Sequence, residues 1–446
     1  MSLTEQERAV VEHIAAHEDE LVALVSDLIG FDTTARAAPD DSARDERALQ
    51  EYLSGRLARV GAECDLWEPR FEEVAGSKLA PAGLDFEGRP QLAATFRGAG
   101  GGRSLLLNGH VDVVSPEPRE RWTTDPFAAD LREGRLYGRG ACDMKGGVGC
   151  MVFAAEALAE LGVRLAGDLV VCTVTEEEST GAGGLAAVAH GVRADAGIVL
   201  EPSGHEVCIA CRGSVIPTIT ILGRPGHSGI PQPDWRRGGA VNAIEKAELV
   251  LDAMRRLQED WRSRLDQRHP LLSPGDIVPC VISGGEWAVS YPSSCSVTYH
   301  IGYLPAFADA EGWGSRIERE VAECVQRVAE SDPWLGENPP TIEWAPEVPS
   351  AEVEADAPIV TALLGAARAS GLETGVAGFD NWHDGATFTR LGGTPCVAFG
   401  PHAIDRAHTV DEYAPVESLV ACAQAVAVAA IRFCGDAQSL GSGPPV

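Results

Sequence analysis

The chain has 446 residues and a formal net charge of −30, which is long enough for two domains with separate cores. So large an acid excess is repelled by nucleic acid and by anionic membrane surfaces, which removes both from the expected partners. It is read first as a solvated, solubilising surface, and adaptation to a saline host is a second reading of the same charge.

Lysine stands only at 78, 145 and 246, and with the abundant alanine and glycine this arginine bias reflects a GC-rich genome. The twelve cysteines show no dense spacing in so long a chain, so free thiols and a reducing cytoplasm are expected. Cys208 and Cys211 form the one Cys-x-x-Cys, in a predicted strand where odd spacing turns them to opposite faces. The first residues carry neither a basic nor an apolar leader region, and no later segment is expected to reach transmembrane length.

In chain order, residues 4–30 read as a helix with Thr4 as N-cap, Glu7 completing a capping box, and Val10, Val11, Ile14, Leu21 and Val25 near one face. A second helix is predicted over 45–60, and between 67 and 90 the pattern dissolves into a loop containing proline and glycine. The apolar run Leu105-Leu106-Leu107 then leads into Asn108-Gly109-His110-Val111-Asp112. A short buried strand ending in a polar tip is how an α/β sheet delivers side chains to its carboxyl edge. Residues two apart in an extended chain point to the same side, so His110 and Asp112 face one point.

Asp143 follows in the glycine-punctuated loop 138–145, and a helix is predicted over 146–161. The strand 168–175 ends in Glu176-Glu177-Glu178, and the strand 196–200 ends on Glu201-Pro202. From 214 the order becomes strand (215–222), helix (240–265), strand (276–283), strand (296–304), helix (311–331) and strand (340–344). That is βαββαβ, the order of a ferredoxin-like unit. Helical periodicity resumes over 358–370, the chain returns to the first domain over 376–432, and the polar tail 435–446 is expected to fray. The expected fold is therefore α/β: a mixed, mostly parallel α/β sandwich (1–213 and 348–446) with an inserted ferredoxin-like domain (214–347).

Three adjacent carboxylates at a strand end are costly unless cations or protons compensate them. Together the strand ends and the Ala407-His408-Thr409 segment offer His110, Asp143, Glu178, Glu201 and His408, with Glu177 beside them. Carboxylate and imidazole in that mixture suit zinc, and five such ligands with one shared carboxylate suit two zinc ions. Asp112, in phase with His110, reads as the group that holds the imidazole by accepting its other N–H.

These pieces fall in the order of a known family. Gly-His-Val-Asp (109–112), Gly-Arg-Gly-Ala-Cys-Asp-Met-Lys-Gly (138–146), Glu-Glu-Glu-Ser-Thr-Gly (176–181), Leu-Glu-Pro (200–202), Gly-His-Ser (226–228) and Ala-His-Thr-Val-Asp-Glu-Tyr (407–413) resemble the dizinc amidohydrolases and peptidases. That family includes acetylornithine deacetylase, succinyl-diaminopimelate desuccinylase, aminoacylase and the glutamate-releasing carboxypeptidases. The resemblance implies two Zn2+ per subunit, with Co2+ or Mn2+ as substitutes, and a cis peptide after Asp143. It implies that Asp143 bridges the ions, His110 and Glu201 completing one site and Glu178 and His408 the other.

The resemblance also makes Glu177 the general base, with Glu176 as the alternative if the register is off by one. It gives the insertion a lid or dimerisation role. His227 would polarise the scissile carbonyl, in many relatives from the opposite subunit of a homodimer, with Asn242 as its companion. His383 and His402 lie near His408 without an assigned role. The family's substrate-gripping arginine is replaced here by Gly302. Arg212, Arg236 or Arg237 could supply that cation, or the substrate needs none. The implied activity is zinc-dependent hydrolysis of an N-acyl (amide) bond on a small amine or amino acid, acetylornithine-deacetylase-like. A dipeptidase or carboxypeptidase of the same family, and a metal-binding scaffold without catalysis, are the alternatives.

Overall fold

The computed structural model describes residues 2–35 and 44–435, so the expected frayed tail lies outside the described residues from 436 on. Two compact units are present: Met1–Ala210 with Ala351–Phe379 and His383–Val446, and Cys211–Ser350 with Asp380–Trp382.

In the first unit Thr4 and Glu7 close the expected capping box, but the helical pattern over 4–30 forms two helices, Glu5–Ala16 and Glu18–Ile29. The break falls at His17, whose ring Nδ1 lies 2.7 Å from the His13 carbonyl oxygen. A side chain that competes for a helical carbonyl favours termination, and Glu18, Asp19 and Glu20 then suit the positive start of a new helix.

The main sheet runs in the order Glu63–Trp67, Gln91–Phe96, Leu169–Val174, Leu105–His110, Ala196–Val199, Cys396–Ala398, Val207–Cys211, Ala351–Glu352, and Val376–Phe379 also pairs with Val207–Cys211. The four strands from Leu169–Val174 to Cys396–Ala398 are mutually parallel, and antiparallel neighbours flank them. Every residue of Leu105–His110 and Leu169–Val174 is buried, which is why apolar residues such as Leu105-Leu106-Leu107 follow one another there without alternation. One face carries the helix Lys145–Glu160, against which Val416–Cys434, Glu5–Ala16 and Glu18–Ile29 pack. The helices Ala182–His190 and Gly385–Arg390 pack together against other strands.

Val416–Cys434 corrects the expectation about segment length: its 19 residues have a hydropathy of 1.6, long and apolar enough to cross a membrane. Of its apolar window, 78% is buried inside the protein, so this apolarity is that of a core helix surrounded by other helices. None of the twelve cysteines is in a disulfide.

The second unit holds an antiparallel sheet ordered Asp276–Gly284, Ser294–Tyr303, Pro217–Leu222, Thr341–Trp344, with Gly213–Val215 also pairing with Ser294–Tyr303. The helices Ala243–Ser263 and Ser315–Ser331 connect these strands. In chain order the spatial sequence of the four strands is 2-3-1-4, the ferredoxin-like arrangement. The outermost strand, Asp276–Gly284, is exposed over most of its length.

Close packing of Lys145–Glu160 against Leu200, just past the strand Ala196–Val199, depends on Gly147. A Cβ built there would stand 2.1 Å from the Leu200 carbonyl oxygen. Gly147→Ala should therefore destabilise the protein by about 2 kcal/mol, although alanine is the better helix former. Urea unfolding at neutral pH measures this, and an unchanged midpoint would contradict the packing described.

Candidate metal centre

The strands Leu169–Val174, Leu105–His110 and Ala196–Val199 are adjacent and parallel, so the residues beyond their carboxyl ends converge. His110 ends the middle strand, Glu177 and Glu178 lie just past one neighbour, and Glu201 lies just past the other. The remaining two predicted residues arrive on loops that a small sheet ties together. Arg135–Tyr137 pairs with Asp130–Arg132 and with Tyr413–Pro415, setting Tyr137 opposite Tyr413. Glu412 then accepts the Cys142 and Asp143 amides at 2.8 and 3.0 Å and pairs with buried Arg139. That guanidinium also donates to the carbonyls of Thr409 at 3.3 Å and Ser115 at 3.2 Å. One carboxylate and one guanidinium thus lock the Asp143 loop to the His408 loop. The Asp143–Met144 peptide is cis, as the resemblance implies.

Asp143 lies between the two imidazoles. Its Oδ1 is 3.2 Å from His110 Nε2 and its Oδ2 is 3.3 Å from His408 Nε2. His408 Nε2 also lies 3.1 Å from Glu178 Oε2, and His110 Nε2 lies 3.8 Å from Glu201 Oε1 and 3.9 Å from Glu177 Oε2. Ligand atoms of His110, Glu177 and Glu201, and separately of His110, Asp143 and Glu178, fall within 4.8 Å of one another. The His110 side chain is 1% exposed and that of His408 is 52% exposed, so the cluster opens on the His408 side.

Asp112 sits differently from its expected contact. Its backbone carbonyl meets His110 Nδ1 at 2.8 Å, whereas its Oδ1 is 3.7 Å away. The carboxylate instead accepts the amides of Glu177 at 3.3 Å and Glu178 at 3.1 Å. The ring is therefore held by main chain, and the side chain holds the acid pair. Two donors on the facing turn compete for this fully buried carboxylate, which the extended-strand argument could not foresee. Glu176 turns away altogether and pairs with buried Arg89.

The electrostatics describe a place short of positive charge. Burial pushes the carboxyls of Glu177 and Glu201 well above the ordinary range, and that of Glu178 upward as well. Burial would also lower His110, yet Glu177, Asp143, Glu201 and Asp112 outweigh it and hold the imidazole well above its usual value. Hydrogen bonds to Asp143 and Glu178 raise His408 to about 10. Asp143 opposes its own burial through the two histidines and lies low. Three of the four carboxylates around the two imidazoles are thus raised toward their protonated forms where dications would satisfy the same oxygens, so the donor set fits divalent metal.

The other predicted residues lie in the second unit. His227 is exposed there, its Nδ1 accepting the Gly229 amide at 3.0 Å. Asn242 caps the helix Ala243–Ser263, its Oδ1 accepting the Ile244 amide at 2.9 Å, so its side chain is already committed to a helix end. Arg236 is exposed and stacks over Trp235 at 4.1 Å. Arg212 occupies the space above Gly302: a Cβ there would stand 3.3 Å from its guanidinium carbon. The same guanidinium donates to Asp380 O at 2.8 Å and Pro274 O at 3.1 Å, and lies 3.4 Å from Asp276 Oδ2. In the first unit His383 is buried and accepts the Gly385 amide at 3.1 Å, and buried Asp384 is pushed up to about 7 by burial, against the pull of His110.

Glu412 and Arg139 had no role assigned from sequence, although both fall inside the recurring motifs. Asp384 and Arg89 carried no sequence signal.

Residues 106–432 match the sequence profile of peptidase family M20/M25/M40. Over 439 residues the chain is 28% identical to the N-formyl-4-amino-5-aminomethyl-2-methylpyrimidine deformylase of Bacillus subtilis strain 168, covering 94% of this chain and 96% of that one. It is 30% identical over 425 residues to the acetylornithine deacetylase of Myxococcus xanthus, covering 93% and 98%. The solved structure of the di-peptidase Dug1p from Saccharomyces cerevisiae superposes with a TM-score of 0.71 at 15% identity, covering 97% of this chain and 99% of that one. At that identity the likeness concerns the fold.

Because carboxylate neighbours raise His408 to about 10 and hold His110 well above its usual value, metal binding near pH 7 must displace protons. Zinc titrated into metal-free protein should show net proton release, seen calorimetrically as a binding heat that varies with the ionisation enthalpy of the buffer. A heat independent of buffer would contradict this charge state.

Proposed function

The chain belongs to peptidase family M20/M25/M40, and from that membership we propose that it is a dizinc deacylase that cleaves the N-acyl amide bond of a small amine. The observation that carries the reading is Asp143, with one oxygen toward His110 and the other toward His408, the arrangement a bridging ligand needs. In this reading His110 and Glu201 complete one ion's set and Glu178 and His408 the other's. Bound zinc would supply Lewis acidity, making a water nucleophilic at neutral pH and polarising the acyl carbonyl. Cobalt or manganese would serve as substitutes.

Glu177 takes the proton of the attacking water and returns it to the departing amine nitrogen. Its burial and raised affinity for protons suit a group that must both accept and donate. Asp112 fixes Glu177 and Glu178 by accepting their amides, so each carboxylate meets a different part of the cluster.

For the amine, Arg212 is already engaged by Asp276 and two carbonyls. That supports substrates whose amine half lacks a carboxylate, as in the aminopyrimidine named for the Bacillus subtilis relative, over the acetylornithine-like label. A panel of N-formyl and N-acetyl amines, N-acetylornithine and dipeptides, assayed by amine release, tests this. Preference for dipeptides would overturn it.

A cytoplasmic homodimer completes the proposal. In the second unit the edge strand Asp276–Gly284 exposes Val281 at 59% and Ile282 at 60%, an apolar edge that a second copy could cover. His227 bridges to Ser290 on the segment just beyond that strand, near enough in the same unit to act across such an interface. There it would donate a hydrogen bond to the carbonyl oxygen as negative charge develops.

Glu177→Gln should keep both metals and lose turnover by about a hundredfold or more, whereas Glu178→Gln should also lose metal on dialysis. Metal analysis with initial rates separates the two, and a fully active Glu177→Gln protein would remove the assigned base. For the dimer, His227→Ala and Glu177→Gln proteins should each be nearly inactive alone. Mixed in equal amounts with proven subunit exchange, they should recover roughly a quarter of wild-type activity, because mixed dimers contain one intact site. Absence of recovery would place His227 within its own chain or outside catalysis.

A further inference from the structure

We propose that Arg89 and Glu176 form a buried anchor that positions Glu177 and Glu178 without touching substrate; this rests on the roles just assigned to that pair. Arg89 is wholly buried and comes from the irregular stretch before the strand Gln91–Phe96. Its Nε donates to Glu46 Oε1 at 2.9 Å, its Nη2 donates to Thr175 Oγ1 at 2.9 Å, and its Nη1 pairs with Glu176 Oε1. Each arm of the guanidinium fork thus holds a different element: the helix Glu46–Arg59, the end of the strand Leu169–Val174, and the turn beyond it.

Stability alone does not explain such a cluster, since a buried ion pair is often no better than well-packed apolar residues in its place. Its geometry explains it better. Glu176 has φ 65°, the left-handed region that a residue with a side chain enters at a cost and keeps only when its surroundings enforce it. Its carbonyl accepts the Thr180 and Gly181 amides at 3.2 and 2.7 Å, and its carboxylate accepts the Thr180 hydroxyl at 3.3 Å. Glu176 is therefore the hub of the turn 176–181. Asp112 grips the next two amides from the other side.

Between these two grips the backbone of Glu177 and Glu178 cannot rotate, and their side chains must diverge as the cluster requires. The same anchor answers the register question, because a carboxylate committed to Arg89 does not face the cluster. Arg89 and Glu176 are positioning residues, and Arg89 is the more distant of the two.

Glu176→Gly is the informative variant. Glycine adopts φ 65° freely, and Arg89 keeps Glu46 as its counter-ion, so neither backbone strain nor an unpaired buried charge confounds the result. With the anchor lost, kcat on the N-acyl amine ranking first in the substrate panel should fall by about a hundredfold while KM moves little. In metal-free protein the Thr180 and Gly181 amides should exchange about tenfold faster. Arg89→Lys, which keeps the charge but not the fork, should shift both readouts in the same direction. Glu176→Gln, still able to accept from Arg89 and Thr180, should restore most of both.

Wild-type kcat and wild-type exchange in Glu176→Gly would overturn the proposal, as would loss in Glu176→Gln equal to that in Glu176→Gly. Should Glu176→Gly not fold, Arg89→Lys and Glu176→Gln decide by the same two readouts. The exchange measurement uses neither metal nor substrate. It therefore judges the anchor even if Glu177→Gln proves active and the assigned base is wrong.

Discussion

The constraint on which the structure turns is the gathering of four carboxylates, buried Asp143 and Glu201 with partly buried Glu177 and Glu178, around two imidazoles. Water normally stabilises such groups, and here the protein has removed it. Without compensation the like charges would drive the strand ends apart or hold protons, and the raised carboxyls of Glu177 and Glu201 show the second response. Divalent metal answers the same need with greater charge and fixed geometry, so the arrangement that burdens the bare protein becomes its working part.

Around this cluster the fold places a second layer of charges. Glu412 with Arg139 ties the Asp143 loop to the His408 loop, and Asp112 ties Glu177 and Glu178 to the end of the middle strand. Arg89 with Glu176 holds the same acid pair from the opposite side. In each case a buried carboxylate takes backbone amides or meets a guanidinium. Such anchoring sets Glu177 toward His110 and Glu178 toward His408, although the two adjoin in sequence.

The second unit obeys another logic. Of its two edge strands, Thr341–Trp344 and Asp276–Gly284, the latter exposes the apolar Val281 and Ile282. Gly302 shows how a missing side chain can be informative: the space a side chain would fill holds the Arg212 guanidinium, already matched with Asp276. The same residue that sequence offers as a free cation is spent inside the unit.

What the sequence determined by itself is what repeats locally. Unbroken apolar runs marked the parallel strands, the Thr4 and Glu7 spacing marked a capped helix, and ligand-type residues at three strand ends marked the cluster, because pleat and helix periods act over a few neighbouring residues. The order of elements after 213 likewise announced the ferredoxin-like unit. Tertiary structure alone decided the rest. It split the first helix at His17, gave His110 Nδ1 to the Asp112 carbonyl and not its carboxylate, and sent Glu176 to Arg89 across a stretch where no pattern could be read. It also turned the apolar Val416–Cys434 into a core helix. These outcomes depend on residues brought together from distant parts of the chain, and a contact of that kind leaves no period in the sequence: only the packed sheet determines which distant charge a buried carboxylate will meet.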